Sequence, residues 1–268
     1  MVTSEQLRNI KNTVPTYLKD IHILRETMNG VVVASDGSVY EIERDEIGIW
    51  DNVSDHCAIG MMITDVLAEA MNAPDTVRRE INAAFWLHDS GKKTERMWQI
   101  AIEGHIRDDK GRFMRRADKS EAKKRALAQV GSMEEWENAE AGIPPSVSQL
   151  MKANIPPSIS GNKTLAEKIV WFADACLTGT EIKPVRQRFD DLENDSKNGV
   201  RNRAFSTSFI PQYGISLYDL QRQLGDRYSY EFAAQIGITP EKLYAWLEQR
   251  IEERVNLQQM PILSAVRK

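Results

Sequence analysis

Cysteine is nearly absent: two thiols, Cys57 and Cys176, serve 268 residues. One pair cannot staple a chain of this size, so a secreted disulfide scaffold is excluded and buried thiols in a reducing compartment are expected. An excess of positive charge is also missing. The formal net charge is −4 and the pI about 5.7, which leaves no global field to hold nucleic acid non-specifically. No stretch approaches the roughly 18 consecutive apolar residues of a membrane span. The opening run, MVTSEQLRNIKNTVPTYLKD, lacks the apolar core of a signal peptide, so a soluble cytoplasmic protein without a membrane partner is expected. Glycine and proline, 15 and 10 residues, are too sparse for a collagen-like or low-complexity chain. What remains is 41% hydrophobic, enough at this length to bury a core without staples.

The chain does carry helical periodicity. Leu7, Ile10, Val14, Leu18, Ile21 and Leu24 predict a helix over 3–28, capped by Ser4 and kinked at Pro15. Residues 31–43, VVVASDGSVYEIE, read as a β-hairpin around Asp36-Gly37, the only β element expected. An amphipathic helix is predicted over 54–72, capped by Ser54 or Asp55, with an apolar stripe of Ile59, Met62, Ile63, Val66, Leu67 and Ala70. A second follows, capped by Asp75 and closed by Gly91. Further helices are expected over 119–130, 146–154, 163–178, 184–195, 226–236 and 240–256, with 196–215 a long loop or lid. The fold class is therefore mainly α with a small N-terminal hairpin.

Polar residues inside the apolar helices carry the chemistry. There are four histidines, His22, His56, His88 and His105. His56 and His88 fall in the best-patterned segments, and Asp89 follows His88 directly. Asp174 sits among Val170, Trp171, Phe172, Ala173, Ala175 and Cys176, where an unpaired carboxylate is costly and a divalent cation would be a suitable partner. Imidazole and carboxylate donors suit Zn, Fe, Mn, Co or Ni better than a thiolate-selected metal.

The ordered set His56, His88-Asp89 and Asp174 resembles the H…HD…D signature of the HD-domain superfamily of metal-dependent phosphohydrolases. The flanks resemble it too: SDHCAIGMMITDVLAEAM around the first ligand, AAFWLHDSGKK with Ser90 in place of an apolar residue, and TLAEKIVWFADACLTG around the last. The likeness spans about residues 50–195. It implies a helical bundle around a metal site in which His56, His88, Asp89 and Asp174 hold one divalent ion, which can be Mn, Fe, Co, Ni, Zn or Mg. Asp118 and Asn154 stand in segments where relatives often have histidine, so one ion is implied rather than two. His105 reads as an ordinary loop histidine. The implied activity is hydrolysis of a phosphoester or phosphoanhydride of a nucleotide or similar small phosphorylated substrate by metal-activated water, with Asp89 and Lys92 as catalytic residues. Relatives that cleave nucleoside monophosphates often place glutamate where Lys92 stands, so that activity is not inferred. Glu95 is a weak general-acid candidate.

Lys92, Trp50, Arg115 and Arg188 are the expected substrate contacts. Each has a plainer reading. Lys92 is also what a helix C-terminus favours. Arg115 lies in a run from Ile106 to Arg125 with nine Lys or Arg against four Asp or Glu, equally a solvated face. Arg186 and Arg188 have acids Asp190, Asp191 and Glu193 within helical reach. Trp50, like the other tryptophans, can simply be core. Residues 230–250 resemble a helix-turn-helix, but its second helix is near neutral, so an αα-corner packed on the core is preferred over DNA binding. Three segments are expected: 1–49 packing on the core, 50–195 as the catalytic unit, and 196–268 as an extension. A non-catalytic nucleotide-binding or signalling module and a DNA-binding regulator remain the competing functions, and self-association into a homo-oligomer stays open.

Overall fold

The architecture follows from one helix that is buried on every side. The computed structural model describes residues 2–14, 30–33, 39–42, 53–89, 143–154, 159, 161 and 163–263. Within it, α2 (Val53–Ala70) is buried without interruption from His56 to Ala68. The predicted stripe is therefore too narrow a description. A helix apolar on all faces belongs in a core, with its few polar groups paired there. Around α2 lie α1 (Ser4–Thr13), α3 (Asp75–Leu87), α5 (Leu165–Ala175), α9 (Leu217–Ile236) and α10 (Leu243–Asn256). The short α4 (Pro145–Met151) packs on α3 and α5 and continues as a 3₁₀ turn, Lys152–Asn154. α6 (Val185–Asn194) packs on α9. The buried apolar cluster runs from Ile10 to Val255 and includes Trp86 and Trp171.

Local chemistry moves several boundaries. Thr3, not Ser4, caps α1, accepting from the Gln6 amide while the Gln6 side chain returns to the Thr3 amide. α1 stops at Thr13, with Val14 extended at φ −69°, ψ 128°. The residue before a proline avoids the helical region, so the backbone leaves the helix at Val14; the rest of the predicted 3–28 helix, Pro15 included, lies outside the described residues. α2 starts at Val53, which places Ser54 and Asp55 inside its first turn rather than at its cap. Pro74 takes the cap position of α3, and Asp75 is its first residue. Thr164 caps α5 through a reciprocal pair with Glu167.

Residues 30–33 pair antiparallel with 39–42 as β1 (Gly30–Val33) and β2 (Val39–Ile42), in register Gly30↔Ile42. A second hairpin, β3 (Leu177–Thr178) and β4 (Glu181–Ile182), was not expected. It lies far from the N-terminus and touches α2. Its two-residue turn starts at Gly179 with φ +58°, a conformation glycine takes without strain. The expected lid over 196–215 is mostly helical: α7 (Gly199–Thr207) and α8 (Ile210–Tyr213). Phe205 and Phe209 bury there against the core, which Gly, Asn and Ser in that stretch had masked.

Of the C-terminal pair, the first helix, α9, is longer than predicted and the second, α10, shorter. Ser216 caps α9 at its Asp219 amide, and Gly237 ends it at φ +82°. Thr239 makes no capping bond; a 3₁₀ turn, Pro240–Lys242, leads into α10. α10 buries Leu243, Leu247, Ile251 and Val255. Its inward face is thus spent on the core, as an αα-corner requires. No helix among the described residues is long and apolar enough to cross a membrane.

Candidate metal centre

Three helices bring the four candidate ligands together. His56 lies in the first turn of α2, His88 is the C-terminal cap of α3, Asp89 follows it, and Asp174 is the penultimate residue of α5. α2 packs on both α3 and α5. His56, His88 and Asp174 each offer one ligand atom, all within 4.8 Å of one another. Asp174 Oδ1 is 3.3 Å from His56 Nε2 and 3.5 Å from His88 Nε2. Asp89 stands beside them, Oδ1 3.6 Å from His88 Nε2 and Oδ2 3.9 Å from His56 Nε2. Ligand atoms about 2.1 Å from one ion sit roughly 3.0–3.4 Å apart at octahedral or tetrahedral angles, so the first two spacings match the edges of a coordination shell.

The imidazoles are oriented by their other nitrogens. His56 Nδ1 is 3.0 Å from the Gly179 carbonyl and His88 Nδ1 2.6 Å from the Phe85 carbonyl. A carbonyl only accepts, so each Nδ1 carries hydrogen and each Nε2 faces inward as the ligand atom. Both Nε2 atoms are buried without a hydrogen-bond partner. Orphaned buried nitrogens are expensive, and a cation between them satisfies both. The Phe85 ring backs the pair, 4.4 Å from His88 and 5.9 Å from His56 between centroids. Gly60 makes room for it, since a Cβ there would stand 1.8 Å from the Phe85 ring.

Charge completes the picture. Burial opposes protonation of His56, but Asp174 and Asp89 outweigh it and raise its pKa. Burial opposes it at His88 too, yet Asp89, Asp174 and Cys57 hold that pKa well above the usual value. Burial alone would push Asp174 up; Arg188 and the two imidazoles instead hold it well below the carboxylate range. A cation at this place therefore competes with protons for the two imidazoles. Both cysteines are buried thiols outside any disulfide. Burial drives the Cys176 thiol up to about 12, so it remains protonated.

Arg188, on α6, donates from Nη1 to the Asp174 main-chain carbonyl. None of the acids within helical reach claims it: Asp190 and Glu193 pair with Arg222, and Asp191 with Lys183. Arg186 points elsewhere, to Asp226. Lys92, Trp50 and Arg115 lie outside the described residues, as do His22, Glu95, His105, Asp118 and Gly91. The sequence reading missed the Gly179 and Phe85 carbonyls. Main-chain acceptors leave no side-chain signature, although the turn TGTE after the last ligand was a usable hint for Gly179.

The described chain is thus mainly α-helical with a His/His/Asp group able to hold a divalent metal ion. No family model, curated protein or solved structure matches the chain.

Proposed function

We propose that this protein is a metal-dependent phosphohydrolase of the HD type, acting on a nucleotide or a similar small phosphorylated molecule. The observation that carries the reading is the pair of buried, partnerless Nε2 atoms converging on Asp174. In this reading His56, His88, Asp89 and Asp174 hold one divalent ion, and residues 50–195 form the catalytic unit. A bound divalent cation supplies Lewis acidity and lowers the pKa of water. The protein's own groups do the rest. The Gly179 and Phe85 carbonyls keep the imidazoles in the ligating tautomer. Phe85 and the surrounding core exclude bulk water from the inner wall. Asp89, buried beside both imidazoles, completes the ligand set and positions the reacting groups. Lys92 neutralises charge that develops on the phosphoryl group, and Trp50 and Arg115 shape the mouth.

The test is metal analysis of the purified protein, then product identification over a panel of nucleotides and phosphoesters with Mn²⁺, Co²⁺, Ni²⁺ or Mg²⁺. Activity that is metal-dependent and lost in Asp89→Ala supports the proposal. Metal binding with ligand-dependent thermal stabilisation and no product would instead favour a binding module. Absence of metal binding removes both.

A further inference from the structure

The well-buried arginines of the described chain divide into two kinds. Arg222 meets Asp190, Glu193 and Asp219. Arg254 meets Asp65 and Glu69, and Arg78 meets Asp65, Glu69 and Asp75. Each is matched by at least two carboxylates. Arg188 is not. Among the described residues its guanidinium makes one hydrogen bond, from Nη1 to the Asp174 carbonyl oxygen. Its nearest carboxylate atom is Asp174 Oδ1 at 4.0 Å, and that atom is already shared by two imidazoles. A guanidinium has five N–H donors in a planar fork, so most of this one is uncommitted. The side chain is 21% exposed, and the main-chain bond holds it beside Asp174, next to the two imidazoles.

We propose that Arg188 is the anion-binding residue of the site: it pins the Asp174 main chain with one N–H and offers the rest of its fork to a phosphoryl oxyanion lying against the metal. This rests on the phosphohydrolase reading and narrows it. The substrate must present a terminal or accessible phosphoryl group to Arg188 and the cation together, because a planar fork pairs two oxygens of one phosphate. The saturation of Arg222 is part of the device. By occupying Asp190 and Glu193 it keeps the acids of α6 from quenching Arg188.

The experiment is calorimetric titration of inorganic phosphate into Mn²⁺-loaded protein, with Mn²⁺ affinity measured in parallel, on wild type, Arg188→Gln and Arg188→Lys. Arg188→Gln is expected to bind Mn²⁺ within about threefold of wild type and phosphate at least tenfold more weakly, with partial recovery in Arg188→Lys. Unchanged phosphate affinity in Arg188→Gln overturns the assignment and leaves the hydrolase reading standing. So does loss of Mn²⁺ binding or folding in both variants, which would make Arg188 only a brace for Asp174. Wild type that binds Mn²⁺ but no phosphate also overturns it. Failure of wild type to bind Mn²⁺ sinks the hydrolase reading itself.

Discussion

Helix α2 carries two buried polar clusters, and they are built on opposite principles. Near its C-terminal half, Asp65 accepts from Arg254, Arg78 and Asn82, and Thr64 donates to Asn82 Oδ1. Asn82 also donates to the Ile262 carbonyl, and Arg254 reaches Glu69. Two acids face two arginines, and only Arg78 Nε lacks a partner there. Near its N-terminal turn, His56 faces His88, Asp89 and Asp174 with both inner nitrogens unsatisfied. The first cluster is closed: it neutralises itself and ties α3, α10 and the 259–263 segment to the core. The second is open: its groups are fixed from behind by carbonyls and complete only with something added. A buried network that satisfies itself holds structure together; one that stays short of a partner reserves a place for a ligand.

That contrast can be broken in four ways. Arg254→Ala should be the most damaging to the fold, since it strips a partner from Asp65, whose side chain is 1% exposed. A loss of about 3 kcal/mol is expected in urea denaturation, with Mn²⁺ affinity of the folded fraction unchanged. A comparable loss of metal binding would mean the two clusters are one. His88→Ala should do the reverse. Mn²⁺ affinity should fall by about 100-fold or more by calorimetry, while the metal-free protein stays folded by circular dichroism. Gly60→Ala sits between the clusters. Its Cβ must displace the buried Phe85 ring, costing about 1–3 kcal/mol and weakening metal binding as well, because Phe85 backs His88. Undisturbed binding would remove Phe85 from the account.

The smallest effect is the pH profile. In the metal-free protein, His56 and His88 have raised pKa values, so the stability they contribute is present below about pH 6.5 and is lost as pH rises through their folded values. Asp174 is depressed; its contribution is present above about pH 4 and is lost as pH falls through its folded value. Metal must displace the imidazole protons, so the rise in Tm on adding Mn²⁺ should be larger at pH 8 than at pH 6. A metal-induced shift that does not grow with pH would detach the imidazoles from the ion.

Much of the site was legible because its residues are out of place. Asp174 in an apolar helix and His56 at the head of another are conspicuous against their neighbours. The helix cores of α3, α4, α5 and α6 lie close to the ranges expected from the sequence. Caps were harder: Thr3 and Ser4 are chemically alike, and only backbone geometry chooses between them. The clustered polar residues of 196–215 looked like loop because two buried phenylalanines spaced four apart are too few to announce a helix. The pairing of Arg222, Arg78 and Arg254 with carboxylates was invisible, since pairing across helices depends on packing that spacing does not encode.

The contact between His56 and the Gly179 carbonyl spans 123 positions along the chain. Non-local closures of that kind come late in folding. A chain emerging from the ribosome therefore exposes the His56 imidazole long before the backbone that orients it exists. On the proposed reading, ion capture becomes the signature of a finished molecule, and a stalled or truncated one ending before the β3–β4 turn would be left unable to hold the ion in its mature form.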